Sequence, residues 1–130
     1  SINIFTTTCN CKFCSIYRIE SSDLQEKIDK NAIVIDIRTP PEWKELGIVP
    51  TSHKIMFFDE NGKYNMQKWL SQLDTLLKNN KNNEFILVCR SGNRTEQVGN
   101  YLANKLGYKN VFHLKHGIKA WIREKRKTTK

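Results

Sequence analysis

The 130-residue sequence predicts an α/β fold in which a central, mostly parallel sheet is flanked by helices on both faces. Short apolar runs alternate along the chain with segments whose apolar residues recur at helical spacing. The run at residues 32–37 is rich in β-branched side chains and apolar except for Asp36, which is typical of a strand covered on both faces. Both observations predict the same layered architecture.

The first half of the chain begins with a predicted short edge strand at residues 15–19, where apolar and polar residues alternate. Ser22 and Gln25 form a capping box that predicts a short helix. After the buried strand, the sequence Pro40-Pro41-Glu42 predicts a helical turn, because proline suits the first position of a helix.

The second half of the chain contains an apolar stretch at residues 55–58 that ends at the turn dipeptide Asn61-Gly62. Further patterns predict helices at about 67–78, 94–106 and 118–125, and strands at 85–88 and 110–114. Gly107 is the expected C-cap of the helix predicted at about 94–106.

Cys89 lies where the strand at 85–88 is expected to end and the next helix to begin. In open parallel sheets, ligands bind at the carboxyl ends of the strands. Unpaired N–H groups and the positive end of the helix dipole stabilise an anion there, so a thiol ionises easily. We therefore expect a catalytic thiolate in an anion cradle. The alternative is a small buried apolar residue, which the flanking arginines and Gly92 make the poorer explanation.

Three separated motifs lie in the order and spacing of a known family. They are Val-Ile-Asp-Ile-Arg-Thr-Pro-Pro-Glu-Trp at 34–43 with Gly-Ile-Val-Pro at 47–50, Cys-Arg-Ser-Gly-Asn-Arg at 89–94, and a segment at 107–121 that ends His-Gly-Ile-Lys-Ala-Trp. Together they resemble the amino-terminal signature, the active-site loop and the carboxyl-terminal signature of the single-domain rhodanese-like sulfurtransferases. The chain departs from the family pattern at Ile48, at Thr51-Ser52 and at His116, which replaces the first of two paired glycines.

The resemblance implies a rhodanese-like fold and a sulfur transfer in two steps. The Cys89 thiolate would take the outer sulfur of thiosulfate or a polysulfide, hold it as a persulfide, and pass it to cyanide or a thiol. The small partners implied are therefore an anionic sulfur donor and a thiophilic acceptor, with an acceptor protein as an alternative. The resemblance implies no cofactor and no metal.

Loop residues are expected to contact the substrate. Backbone N–H groups would hold the persulfide, Gly92 would permit the closed backbone, and Arg90 and Arg94 would attract an anionic donor. The full set of expected substrate-contacting residues is Arg90, Ser91, Gly92, Asn93, Arg94, Thr95 and, from the neighbouring strand end, Arg38.

Supporting roles are expected for two carboxylates. Asp36 is expected to orient loop backbone, and Glu42 is expected to pair with Arg38. Since the thiolate is already available, no general base is required. The histidines, which are expected to be structural or exposed, are His53, His113 and His116.

Two other functional classes compete with sulfur transfer. Phosphatases and arsenate reductases of the same architecture carry a Cys-x5-Arg loop, whereas Cys89 and Arg94 enclose four residues, and the shorter loop suits one sulfur better than a tetrahedral phosphate. A binding module that has lost catalysis is disfavoured because the cysteine and the basic loop are both present. A persulfide carrier between proteins stays open.

Composition indicates a single domain. We expect a flexible extension at residues 1–14, the folded domain at 15–125 and a solvated basic tail at 126–130. The net charge of +9 lacks the interleaved aromatic residues of a nucleic-acid surface, and no apolar stretch is long enough to span a membrane. A cytoplasmic location is expected because Cys89 must stay reduced, with export after signal removal as the alternative.

Cys9, Cys11 and Cys14 form a cluster near the start of the sequence. Three thiolates at this spacing are one ligand short of a structural zinc site, and no nearby histidine supplies the fourth. The other interpretations are a redox-active Cys11–Cys14 pair, a tail cysteine that accepts sulfur from Cys89, and an extension without function.

Overall fold

The computed structural model describes residues 16–130 and contains a five-stranded sheet in the order β1-β5-β4-β2-β3. The strands are β1 (Tyr17–Ile19), β2 (Val34–Asp36), β3 (His53–Lys54), β4 (Phe85–Val88) and β5 (Val111–Leu114). The helices are α1 (Ser21–Asp29), α2 (Pro40–Leu46), α3 (Met66–Leu76), α4 (Asn93–Asn104) and α5 (Gly117–Arg123). Every pairing in this sheet is parallel, which confirms the predicted α/β class.

Helices cover both faces of the sheet, as the sequence predicts. Successive residues of β4 alternate between two buried clusters because side chains along a strand point to opposite faces. Leu87 belongs to the cluster formed with α3 and α4, whereas Ile86 belongs to the cluster formed with α1 and α5. Helix α2 adds Leu46 to the second cluster. The whole of β4 is therefore buried at the centre of the domain.

The carboxyl ends of β2, β4 and β5 meet at one edge of the sheet. This edge brings together the segments that begin at Ile37, Cys89 and Lys115. The apolar stretch after β3 continues beside it, since the N–H groups of Ile55 and Phe57 each donate to a backbone carbonyl at the end of β2 at 3.0 Å. The candidate functional residues of the sequence analysis lie at this edge.

Helix α1 does not use the predicted capping box of Ser22 and Gln25, and that prediction is wrong. Glu20 is the N-cap: its side chain accepts the N–H of Asp23, and Asp23 Oδ2 accepts the N–H of Glu20 at 3.0 Å. Ser21, which is 2% exposed, already lies within the first turn. The carboxylates of Glu20 and Asp23 thus accept the first N–H groups of the helix, which is the role predicted for Ser22 and Gln25 two residues further along the chain.

Helix α2 begins at Pro40, as predicted, and Thr39 is its N-cap. The side chains of Thr39 and Glu42 form a reciprocal capping box, in which the Thr39 hydroxyl donates to Glu42 Oε1 at 3.1 Å. This cap fixes the Glu42 carboxylate beside the edge of the sheet where the candidate site lies.

The basic segment at residues 126–130, predicted as a solvated tail, exposes the side chains of Lys127, Thr129 and Lys130, but its backbone is hydrogen-bonded to the domain. Ile48 and Thr129 exchange two backbone hydrogen bonds of 2.7 and 2.9 Å. The indole N–H of Trp121 donates to the Lys127 carbonyl at 2.8 Å. A Cβ at Gly47 would lie 2.7 Å from the Thr129 carbonyl oxygen, so the two segments are in close contact.

Within residues 16–130, no helix combines the length and the apolar character that a membrane span requires. The predicted extension at 1–14, with its three cysteines, lies outside the described residues.

Deletion of residues 126–130 is expected to lower the free energy of unfolding by about 1–3 kcal/mol, because it removes two backbone hydrogen bonds and the acceptor of the Trp121 indole. Urea titration of the truncated and full chains measures this loss. Lys127→Ala is the control, since it keeps the backbone bridge and the carbonyl that the Trp121 indole contacts, and changes only an exposed side chain. Equal midpoints for the truncated and full chains would show that the segment is solvated.

Candidate active site

Cys89 directly follows β4, and its side chain is 1% exposed. The backbone N–H of Gly92 donates to Cys89 Sγ at 3.2 Å, and the Thr95 hydroxyl lies 3.4 Å from the same sulfur. Helix α4 begins at Asn93, so the sulfur lies at the amino end of this helix. The thiol therefore has the predicted position, with one backbone N–H and one hydroxyl as its partners.

Two glycines allow the loop after β4 to lie directly against the turn after β5. Gly92 has φ +99°, and a Cβ there would lie 2.0 Å from the Lys115 carbonyl oxygen. Gly117 has φ +68°, and a Cβ there would lie 2.2 Å from the Arg90 carbonyl oxygen. No side chain fits at either position, because both contacts are made by backbone atoms.

Two hydrogen bonds fix the loop to the first turn of α5. The carbonyl of Cys89 accepts the N–H of Ile118 at 2.9 Å, and the carbonyl of Arg90 accepts the N–H of Lys119 at 3.1 Å. Together with the glycine contacts, these bonds determine the path of the loop around the sulfur.

The departure from the family pattern at His116 has a simple structural explanation. His116 has φ −107°, which any residue can adopt, and its exposed ring lies 3.7 Å from the carboxylate of Glu20. The contact with the loop after β4 is made at Gly117. A histidine is therefore tolerated at 116, whereas the glycine at 117 is required.

Arg94 is held by a carboxylate across the site. Its two terminal nitrogens donate to the two oxygens of Glu42, each at 2.8 Å. These hydrogen bonds, together with those from the Thr39 N–H and hydroxyl, lower the pKa of Glu42 to about 2, although burial alone would raise it. The Glu42 carboxylate in turn raises the pKa of Arg94. The predicted pairing of Glu42 with Arg38 is therefore wrong.

Arg38 is paired with Asp36 instead, and both side chains are 0% exposed. Arg38 Nη2 donates to Asp36 Oδ2 and to the Gly47 carbonyl, each at 2.7 Å. Asp36 also accepts the Arg38 N–H at 3.0 Å and the Trp43 indole N–H at 2.9 Å. The structure contradicts a substrate-contacting role for Arg38, because its guanidinium is buried and its bonds hold the backbone after β2. Asp36 orients that same backbone and not the loop at 89–95.

The outer side of the loop consists of Arg90, Ser91 and Asn93, whose side chains are exposed. Arg90 pairs with no carboxylate among residues 16–130. Since Arg94 is engaged by Glu42, Arg90 is the loop arginine whose charge faces solvent and can meet an incoming anion.

His113 on β5 belongs to the site, although the sequence predicts a histidine that is structural or exposed. Its ring is 2% exposed, and Nδ1 lies 2.7 Å from Thr95 Oγ1. Nε2 lies 2.9 Å from Glu96 Oε2. The alternation of side chains along a strand could have indicated this position, because it places residue 113 on the same face of the sheet as Val111, towards α4. The contact with Thr95 depends on the packing of α4 against β5.

Within the described part of the chain, no group of three or more His, Cys, Asp or Glu side chains could hold a metal ion. The zinc interpretation concerned Cys9, Cys11 and Cys14, which lie outside that part.

Comparison with known proteins gives the family of this fold and loop. The sequence pattern of the rhodanese-like domain matches residues 20–124. The chain is 32% identical over 108 residues to YtwF of Bacillus subtilis (strain 168), which bears a provisional sulfurtransferase name, and the match covers 82% of this chain and 90% of YtwF. The chain belongs to the rhodanese-like domain family.

Two other comparisons show where such domains occur. The tRNA uridine(34) hydroxylase of Prochlorococcus marinus (strain MIT 9312) is 32% identical over 110 residues, which are 80% of this chain and 33% of the hydroxylase. The human single-domain sulfurtransferase TSTD1 has the same fold, with a TM-score of 0.61 at 17% identity over 85% of this chain and 98% of that one. The domain therefore occurs both alone and as one part of a larger protein.

Gly117→Ala is expected to destabilise the protein by about 2 kcal/mol or more beyond Gly107→Ala, measured by urea unfolding. The two glycines have similar positive φ values, +68° and +78°, but a Cβ at Gly107 meets nothing within 4 Å. The Gly107 variant therefore reports the strain of a left-handed backbone alone, about 1–2 kcal/mol. Equal losses would contradict the close contact between Gly117 and the loop.

Glu42→Gln is expected to be less stable than the native chain at neutral pH, by a difference that shrinks as the pH falls. The Glu42 pKa is lowered from 4.5 to about 2, so its ionised form stabilises the fold fully above pH 4.5. This contribution is lost between pH 4.5 and about 2, as the carboxylate is protonated. Urea midpoints across this range measure the difference.

Arg94→Met is the matched control for this pH dependence, because it removes the partner and leaves the carboxyl group. Its stability deficit should shrink over the same pH range. A deficit of either variant that stays constant from pH 6 to pH 3 would contradict the ion pair as the source.

Proposed function

We propose that this protein is a sulfurtransferase that carries a sulfane sulfur as a persulfide on Cys89. The donor is an anionic sulfur compound such as thiosulfate or a polysulfide, and the acceptor is cyanide or a thiol. The observation that carries the proposal is the position of Cys89 Sγ in a closed loop, 3.2 Å from the donating Gly92 N–H and 3.4 Å from the Thr95 hydroxyl. The rhodanese-like family of the chain supports it.

The transfer consists of two displacements without net oxidation or reduction. The Cys89 thiolate attacks the outer sulfur of thiosulfate, the S–S bond of the donor breaks, and sulfite leaves with the electron pair. The new Cys89 persulfide carries the negative charge on its outer sulfur. Cyanide then attacks this sulfur, the persulfide S–S bond breaks, thiocyanate leaves, and the Cys89 thiolate is restored.

The loop supplies what each displacement needs. Arg90 carries an exposed charge that attracts the anionic donor. The Gly92 N–H and the Thr95 hydroxyl surround the sulfur and can donate to the thiolate and to the persulfide anion. Ser91 and Asn93 lie on the exposed side of the loop, where their groups can contact the part of the donor that leaves.

Phosphate or arsenate chemistry is the second candidate, and the length of the loop disfavours it. The four-residue spacing between Cys89 and Arg94 leaves a loop one residue shorter than Cys-x5-Arg. Arg94 gives two of its five N–H donors to Glu42 at 2.8 Å, so this pairing alone does not decide between sulfur and phosphate.

Treatment with thiosulfate or polysulfide is expected to add about 32 Da, the mass of one sulfur, to the intact chain, and cyanide should remove it. Cys89→Ser should abolish the addition while keeping the native thermal unfolding midpoint. The matched control replaces Cys9, Cys11 and Cys14 with serine and should still gain the sulfur. Sulfur gain by the Cys89→Ser chain would overturn the proposal.

The same preparation separates the competing functions. Hydrolysis of an aryl phosphate by the native chain, without sulfur loading, would favour a phosphatase. A persulfide that ignores cyanide and small thiols but passes to a protein thiol would identify a carrier between proteins.

A further inference from the structure

A continuous line of polar side chains leads from Cys89 away from the loop, through the interior of the domain, to the surface. It runs from Cys89 Sγ to Thr95 Oγ1 at 3.4 Å, on to His113 Nδ1 at 2.7 Å, and from His113 Nε2 to Glu96 Oε2 at 2.9 Å. Arg18 Nε donates to both Glu96 oxygens at 2.9 and 3.0 Å and ends the line. The sulfur-transfer chemistry above makes no use of the residues beyond Thr95.

The directions of the hydrogen bonds follow from the donor inventory of each group. His113 Nε2 lies 2.9 Å from Glu96 Oε2 without the geometry of a hydrogen bond, and because a carboxylate cannot donate, the neutral ring is assigned its hydrogen on Nε2. Nδ1 is then an acceptor, and the Thr95 hydroxyl donates to it over 2.7 Å, a shorter contact than the 3.2 Å to the Gly92 carbonyl. Thr95 Oγ1 is left with lone pairs to accept the Cys89 thiol hydrogen.

The groups around His113 together lower its pKa and keep the ring neutral, and among them only the Glu96 carboxylate favours the uptake of a proton. Glu96 faces it from α4, and Arg18 faces it from β1, where the two strands pair at positions 18 and 113. On the β4 side, its register partner is the apolar Leu87. Burial lowers the pKa of His113, the Glu96 carboxylate opposes this, and Arg18 adds to it.

We propose that His113 is a positioning residue that receives the Cys89 proton through Thr95, so that the loop holds a thiolate ready for attack. The inference rests on Cys89 acting as the nucleophile of the proposed function. The Cys89 Sγ–H proton moves to Thr95 Oγ1 while the Thr95 hydroxyl proton moves to His113 Nδ1. The products are a thiolate that accepts from Thr95 and an imidazolium that faces the Glu96 carboxylate, and no electrons are transferred.

In this arrangement Glu96 supports the protonated form of His113, and Arg18 positions Glu96. The Glu96 carboxylate stabilises the imidazolium that forms, at a distance suited to an ion pair. Arg18 holds both oxygens of Glu96 and so fixes the carboxylate opposite the ring. The chain of groups joins two strands and one helix, so the position of Thr95 relative to the sulfur depends on their packing.

The test is the pH dependence of Cys89 alkylation by iodoacetamide, which does not require sulfur transfer. Trypsin releases Cys89 in the peptide at residues 82–90, apart from the other three cysteines, so mass spectrometry follows it in the native chain. His113→Asn keeps a hydrogen-bonding group at the Nδ1 position but cannot accept a proton. We expect it to raise the midpoint of the alkylation profile by about one pH unit, which is about tenfold slower alkylation below the midpoint.

Variants of the neighbouring groups separate a proton path from a structural role. Thr95→Val should raise the midpoint as His113→Asn does, because it removes the hydroxyl bridge, and Thr95→Ser should restore the native profile. Glu96→Gln should shift the midpoint in the same direction, since it removes the charge that stabilises the imidazolium. His53→Asn, at an exposed position on β3, is the matched control and should leave the profile unchanged.

If the pH profile of Cys89 alkylation in His113→Asn matches that of the native chain, the inference is overturned. This holds even if Thr95→Val shifts the profile, because Thr95 would then act on the sulfur without His113. If His113→Asn does not fold, a native profile in Glu96→Gln overturns it equally. The shifts are expected whether or not the chain gains sulfur from thiosulfate. Loss of sulfur loading with intact shifts would therefore contradict the proposed function and leave the proton path standing.

Discussion

Direct backbone contact between the loop after β4 and the turn after β5 determines where the Cys89 sulfur lies. Gly92 approaches the Lys115 carbonyl and Gly117 approaches the Arg90 carbonyl more closely than any side chain permits. Backbone hydrogen bonds from the first turn of α5 hold the same loop. Because parallel strands bring their carboxyl ends to one edge, this contact forms there and encloses the sulfur between a loop and a helix start.

The charged residues around the loop have different roles, which depend on whether each one is paired and buried. The wholly buried Asp36–Arg38 pair has its hydrogen bonds satisfied by neighbouring backbone and by the Trp43 indole, so it holds the chain after β2 in place. The partly exposed Glu42–Arg94 pair spans the site and neutralises one loop arginine. Arg90 is left as the exposed loop cation.

Local patterns in the sequence predicted the order of the strands and helices except for β3 (His53–Lys54), and they predicted the position of Cys89. Those patterns depend on neighbours within a few residues, such as the run before Cys89 and Pro40 at a helix start. Glu42 could not be assigned a partner in this way: Arg38 is four residues away, but the actual partner, Arg94, is 52 residues away. His113 was missed for the same reason, since only the packed sheet brings it against Thr95.

The central claim is that the loop holds a transferable sulfur on Cys89. A crystal structure of the chain after thiosulfate treatment tests it most directly. We predict one additional sulfur atom bonded to Cys89 Sγ and lying within about 3.5 Å of backbone N–H groups of the loop at 89–95. An unmodified Sγ, with thiosulfate bound elsewhere or sulfur carried by another cysteine, would contradict the claim.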